Sequence, residues 1–306
     1  AALRAGARIA PAHRQRHGSC IASILTMQHD AIPLIDISGL ADTNPAVRRA
    51  VAREIGMACR GTGFFAITGH GVLDGSAGAD NWWAHKRGAD GEEGDPARLR
   101  RLAEEGAPVE QRVFGPEATI RPQFIQPYRC RNVLIEGVTI LRSPMWEIHP
   151  VECENVTVRR VNISSHGPNN DGCNPESCRD VLIEDCVFDT GDDCIAIKSG
   201  RNADGRRINK PSENIIVAGC VMMDGHGGVT LGSEISGGVR KVFVENCRMD
   251  SPRLATAIRF KNNAMRGGAL TDIHVRDVTI GQVARAAVTV DYNYVWFVPS
   301  GAVKDD

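Results

Sequence analysis

From residue 130 onward the apolar residues fall into short alternating runs. Six segments share one pattern, apolar-x-apolar-x-x-apolar-x-apolar. They are Val133/Ile135/Val138/Ile140, Val156/Val158/Val161/Ile163, Val181/Ile183/Cys186/Phe188, Ile215/Val217/Cys220/Met222, Val242/Val244/Cys247/Met249 and Ile273/Val275/Val278/Ile280. Their first positions recur at gaps of 23, 25, 34, 27 and 31 residues. Each segment predicts a strand, a bend and a second strand, because strand side chains alternate with a period of two. A third run follows in the later copies: Ile195/Ile197, Val229/Leu231, Ile258/Phe260 and Val288/Val290. Three short strands per repeat, with no helical periodicity between them, predict an all-β fold, a right-handed parallel β-helix. Inward residues then stack coil on coil. Cys186, Cys220 and Cys247 share a ladder position with Val138, Val161 and Val278, so they are expected to be buried small apolar filler.

The front of the chain reads differently. Residues 1–26 carry four Arg, no acid and no long apolar core. That is not a secretory signal, and the stretch reads as a non-structural leader or upstream read-through. Residues 27–70 predict a small α/β segment. It has a strand over Ile32–Ile37, a helix over Ala46–Arg60 capped by Asn44 with Pro45 at its first position, and a strand over Gly63–Ile67. The solenoid is expected over 71–298, with a tail at 299–306. Residues 84–118 are polar and read as a surface excursion. A helix over Ala97–Glu105 is expected there, opened by Asp95-Pro96 and stopped by Gly106.

Candidate chemistry follows the repeat phase. Successive coils carry Asp171 in NNDG, Asp192 and Asp193 in GDD, His226 in GHG, and Arg259 and Lys261 in IRFK. Tyr292 in VDYN comes last. Stacked coils lie about 4.8 Å apart, so residues at one phase share one groove. Three Asp this close cannot all ionise freely, which leaves a protonated acid beside ionised bases. Hydrolysis of a glycosidic bond needs that combination. Asp192 and Asp193 would point to opposite faces of a regular strand, so Gly191 is expected to permit a bend. Arg259 and Lys261 share one strand face while Ile258 and Phe260 face the core. Two fixed cations suit a sugar bearing a carboxylate.

Composition narrows the partners. The chain has 306 residues, 42% of them hydrophobic, and a formal net charge of −1. This is a globular composition without the basic excess of a nucleic-acid binder. No apolar run reaches the ~18–20 residues that span a bilayer, so no membrane partner is expected. Ten Cys occur with no C-x-x-C pair, which removes zinc-ribbon and thioredoxin-type readings.

The four motifs resemble the signatures of glycoside hydrolase family 28, the polygalacturonases. They stand as Asn169-Asn170-Asp171, Gly191-Asp192-Asp193, Gly225-His226-Gly227 and Arg259-Phe260-Lys261, in the family's order, with Asn170 and Phe260 as departures. The resemblance implies inverting hydrolysis of α-1,4-linked galacturonic acid in pectin. Asp192 would be the general acid, Asp171 and Asp193 would hold and activate water, and His226 would support the acid. Asn169, Arg259, Lys261 and Tyr292 would bind substrate. No metal or cofactor is implied, and the chain is expected to be a monomer acting outside the cytoplasm. The family's solenoid also implies coils after the tyrosine segment, so a chain without them is expected to be marginally stable. The longest gap holds GRNADGRRINKP, whose Arg201, Arg206, Arg207 and Lys210 are expected to wall one end of the groove and favour exo attack.

Two other readings compete. Residues 27–72 resemble the start of iron(II)/2-oxoglutarate oxygenases, whose chemistry needs a His-x-Asp…His triad. None of the nine His has Asp two residues on, so this segment reads as an oxygenase front without its catalytic part. A non-catalytic β-helix that binds polysaccharide is the remaining alternative.

Overall fold

A computed structural model describes residues 65–86 and 94–294, with scattered positions between 44 and 57. The leader, the strand expected at 32–37 and the tail at 299–306 lie outside the described residues. Those described between Ala46 and Met57 are helical. Asn44 Oδ1 accepts the N–H of Ala46 at 2.9 Å, the cap expected there.

The chain winds as a right-handed parallel β-helix of three sheets. The first sheet stacks β1 (Phe65–Thr68), β3 (Arg131–Glu136), β5 (Glu154–Arg159), β7 (Arg179–Glu184), β10 (Ser212–Ala218), β13 (Val239–Glu245) and β16 (Leu270–Arg276). The second stacks β2 (Val72–Asp74), β4 (Thr139–Leu141), β6 (Asn162–Ser165), β8 (Val187–Thr190), β11 (Val221–Asp224), β14 (Arg248–Met249) and β17 (Thr279–Ile280). The third holds β9 (Ile195–Ile197), β12 (Val229–Leu231), β15 (Thr256–Lys261) and β18 (Ala286–Asp291). All neighbours pair in parallel, and the ladders run in register, for example Val156 with Val181 and Val181 with Ile215, apart from a shift between Met222 and Asp224 where β11 meets β8.

This register turns the sequence repeat into ladders. The four positions of the first five copies are all buried, as are Cys186, Cys220 and Cys247 in the expected ladder. In the last described coil the inward Val288 and Val290 are exposed, because no further described coil covers them.

The solenoid starts earlier than expected. Phe65–Thr68, assigned above to the N-terminal segment, pairs with β3 as the outermost strand of the first sheet. A strand with alternating apolar residues extends a parallel sheet edge whatever segment it comes from, so among the described residues the first sheet includes Phe65–Thr68, ahead of residue 71. The excursion after β2 holds a helix, α1 (Asp95–Glu104). Its N-cap is Gly94, because Asp95 Oδ2 instead accepts the N–H of Thr119 at 3.0 Å. No helix among the described residues is long and apolar enough to cross a membrane.

Candidate active site

The turns between the second and third sheets bring the predicted acids together. Asp171 lies in the turn after β6, Asp192 and Asp193 in the bend between β8 and β9, and His226 between β11 and β12. Arg259 and Lys261 stand on β15. Carboxylate oxygens of the three Asp lie within 4.8 Å of one another. Both Asp of GDD reach this cluster because they sit in a bend, where strand alternation does not apply. Gly191 serves by closeness rather than by backbone freedom: a Cβ there would meet the Gly167 carbonyl oxygen at 2.5 Å.

Each carboxylate has its own partners. Asp193 is fully buried and accepts from Lys261 Nζ at 2.6 Å and Thr230 Oγ1 at 2.8 Å, with Arg259 Nη1 at 3.5 Å. Asp192 Oδ1 meets His226 Nδ1 at 3.0 Å and the Asp193 N–H at 2.9 Å. Asn169 Nδ2 reaches Asp192 Oδ2 at 3.4 Å. Asp171 accepts from Asn174 Nδ2 at 2.9 Å and stands 4.0 Å from Lys198 Nζ.

These environments push the acids apart. Burial, reinforced by the Asp192 charge, raises Asp171 well above the usual carboxylate range. Burial also works to raise Asp192, but the His226 hydrogen bond and the charges of His226, Lys261 and Lys198 outweigh it and bring it down to about 2. The same bond raises His226. In the free site the two environments therefore favour the protonated form of Asp171 and the ionised form of Asp192. Exposure runs the other way: the Asp192 side chain is 18% exposed, against 5% for Asp171 and 1% for Asp193.

The sequence reading missed several groups. Lys198 Nζ is buried 2.9 Å from Glu234 and 4.6 Å from the Trp146 ring centre. Register pairs β9 with β12 and β12 with β15, so Lys198, Gly232 and Lys261 share one ladder. Phase counting that found Lys261 would have found Lys198 too. Tyr292, expected to touch substrate, is 56% exposed. The ring beside the cations is Tyr294, 5.3 Å from Arg259 and 5.2 Å from Lys261. Strand periodicity could not show this, because the chain leaves β18 through a turn in which Asp291 Oδ1 accepts the Asn293 N–H at 3.0 Å.

The insertion after β9 forms a short helix, α2 (Asn202–Ile208). Three of its cations are engaged within the protein. Arg206 donates to the Met265 carbonyl at 2.9 Å, Arg207 pairs with Asp204 and the Ala103 carbonyl, and Lys210 pairs with Glu152 at 2.5 Å. Arg112, at the foot of the excursion, holds Asp204 at 2.5 Å. The insertion is thus docked against the rest of the protein through these side chains.

Residues 114–304 match the profile described as glycosyl hydrolases family 28, and residues 32–77 match one described as non-haem dioxygenase in morphine synthesis N-terminal. The chain is 35% identical over 163 residues to a probable polygalacturonase of Vitis vinifera, covering 52% of this chain and 33% of that protein. It is 27% identical over 245 residues to the exo-poly-alpha-D-galacturonosidase of Dickeya chrysanthemi, covering 74% of this chain and 39% of that protein. Among solved structures, the hyperthermoactive exopolygalacturonase from Thermotoga maritima aligns with a TM-score of 0.70 at 49% identity, over 75% of this chain and 53% of that one. The chain spans between a third and about half the length of these relatives. The dioxygenase match runs into the solenoid, since its last residues supply β1 and β2.

Proposed function

The chain belongs to glycosyl hydrolase family 28, and from that premise we propose that it cleaves α-1,4-galacturonosidic bonds of polygalacturonate from chain ends, with inversion. One observation carries the reading. Three carboxylates lie within 4.8 Å of one another, only one of them reaches the groove, and Arg259 and Lys261 stand beside them.

Asp192 is the acid for the leaving oxygen because it is the accessible one. The separation of Asp171 and Asp193 lets one water bridge both at about 2.8 Å. The cluster keeps a single proton. When a uronate enters, its negative charge raises Asp192, and the proton held by Asp171 passes to it. Asp171 is then free to take a proton from the attacking water as the water oxygen bonds to the anomeric carbon. Asp192 gives its proton to the departing sugar oxygen, so charge and atoms balance. His226 holds the Asp192 carboxylate that results. Arg259 and Lys261, flanked by Tyr294, receive the uronate carboxylate.

The carboxylate spacing alone does not choose the stereochemistry. Inverting pairs usually stand about 6.5–9.5 Å apart and retaining pairs about 5–5.5 Å, and this cluster is tighter than either. Inversion rests on family membership. Exo action rests on likeness to the Thermotoga and Dickeya proteins. Pectin lies outside the cytoplasm, and the action is proposed there, on a monomer.

Reducing-sugar release from polygalacturonate tests the reaction, with Asp192→Asn as control. Mono- or digalacturonate as the first product, in the inverted anomer by proton NMR, is the expected result. Mixed oligomers early in digestion would remove the exo reading. No release above the control would leave the non-catalytic β-helix.

A further inference from the structure

Arg121 lies where the polar excursion re-enters the solenoid, outside every motif that drew attention in the sequence. It is 7% exposed. Its guanidinium spans two coils: Nη1 donates to the Pro168 carbonyl at 2.6 Å and the Pro144 carbonyl at 3.3 Å, and Nη2 donates to Asn169 Oδ1 at 2.6 Å. Arginine carries only donors. Asn169 must therefore present its oxygen to Arg121, which turns its Nδ2 toward Asp192 Oδ2, 3.4 Å away.

The next residue does a different job. Asn170 is fully buried and locks the turn, accepting from Ser165 Oγ and the Gly167 N–H at 2.7 Å and donating to the Ser143 and Met145 carbonyls. Asn169, by contrast, has a left-handed φ of 57° that swings its side chain away from this lock and between Arg121 and the acid. Two adjacent amides thus serve turn geometry and acid geometry separately.

We infer that Arg121 is a positioning residue for the proposed acid, acting through the orientation it imposes on the Asn169 amide. Oδ1 of Asp192 is occupied by His226 and the Asp193 N–H, so Oδ2 is the oxygen left to deliver a proton. The aimed N–H of Asn169 steadies that oxygen and takes up its charge once the proton has gone. Without Arg121 the amide is free to turn, and its carbonyl would then oppose a carboxylate. This rests on the proposed role of Asp192.

Arg121→Met, Arg121→Lys, Asn169→Ala and the Arg121→Met/Asn169→Ala double variant test it, each assayed well below its own melting temperature. Losing the aimed donor raises Asp192. The expected result for Arg121→Met is a kcat about tenfold lower, KM within twofold, and an alkaline limb of the kcat–pH profile moved up by about one pH unit. Asn169→Ala should give the same change, the double variant no further change, and Arg121→Lys a partial return. Should Arg121→Met fail to fold, Arg121→Lys with its own Asn169→Ala double carries the same comparison. Effects that multiply in the double variant would overturn the inference. So would a fall in melting temperature and kcat with an unmoved pH limb. If the wild type releases no sugar, the proposed function fails on its own. Carbon-13 carboxyl titration of Asp192 then decides between a raised midpoint in Arg121→Met, as inferred, and an unchanged one, which refutes it.

Discussion

Lys198 and Lys261 occupy one ladder position two coils apart, with Gly232 between them. A Cβ at Gly232 would lie 1.9 Å from the Lys261 carbonyl oxygen, and its φ is +113°, so the coil between the two lysines puts no side chain of its own at this ladder position. Like charges this deep in a protein persist only when paired. Lys198 is held by Glu234, and Lys261 by Asp193. Asp193, one of the proposed catalytic carboxylates, is therefore also the counter-ion that lets Lys261 stay buried.

Removing one partner exposes that dependence. Lys261→Met should destabilise the fold by about 3–5 kcal/mol in urea unfolding, the cost of orphaning a buried charge. Arg259, 3.5 Å from Asp193, places the effect toward the lower end.

Two Asp→Asn changes should lose activity alike and differ in stability. Both Asp171→Asn and Asp193→Asn should cut kcat by about a hundredfold or more. Asp171 is an acid raised above its unfolded value, so its contribution worsens as pH climbs from about 3.8 toward its folded value. Its replacement should raise the midpoint of urea unfolding at neutral pH. Asp193→Asn strips Lys261 of its ion partner and should lower it. Equal shifts in both variants would contradict this division.

A buried acid beneath the site predicts a pH effect of its own. Glu147 is fully buried and neither carboxyl oxygen has a hydrogen-bond partner. Burial pushes it up to about 8. The unfolded chain releases this proton above about 4.5 while the folded chain keeps it, so stability falls as pH rises from about 4.5 to 8. The loss is on the order of 5 kcal/mol. Glu147→Gln should flatten urea-unfolding stability across that window and gain at neutral pH.

The two tyrosines separate cleanly. Tyr294→Ala should raise KM for polygalacturonate several-fold, because it removes the ring beside both cations. Tyr292→Ala should leave KM within twofold. The reverse outcome would restore the expectation drawn from the VDYN motif.

What the sequence determined by itself is whatever depends on period. The ladder of Val133, Val156, Val181 and Ile215, and the shared phase of Asp171, Asp192 and His226, follow from counting, because a solenoid places residue n of each coil over residue n of the next. Lys198 was legible on the same ground and went unread. Only the tertiary structure decided which carboxyl is pushed up and which down, since Asp171 and Asp192 differ in burial and in the His226 contact. It alone placed Tyr294, set by a turn after the last described strand, and Arg121, brought to Asn169 by a polar excursion with no period. It alone showed that Phe65–Thr68 opens the solenoid. These depend on distances between segments far apart in the chain, where no repeat operates and packing settles the outcome.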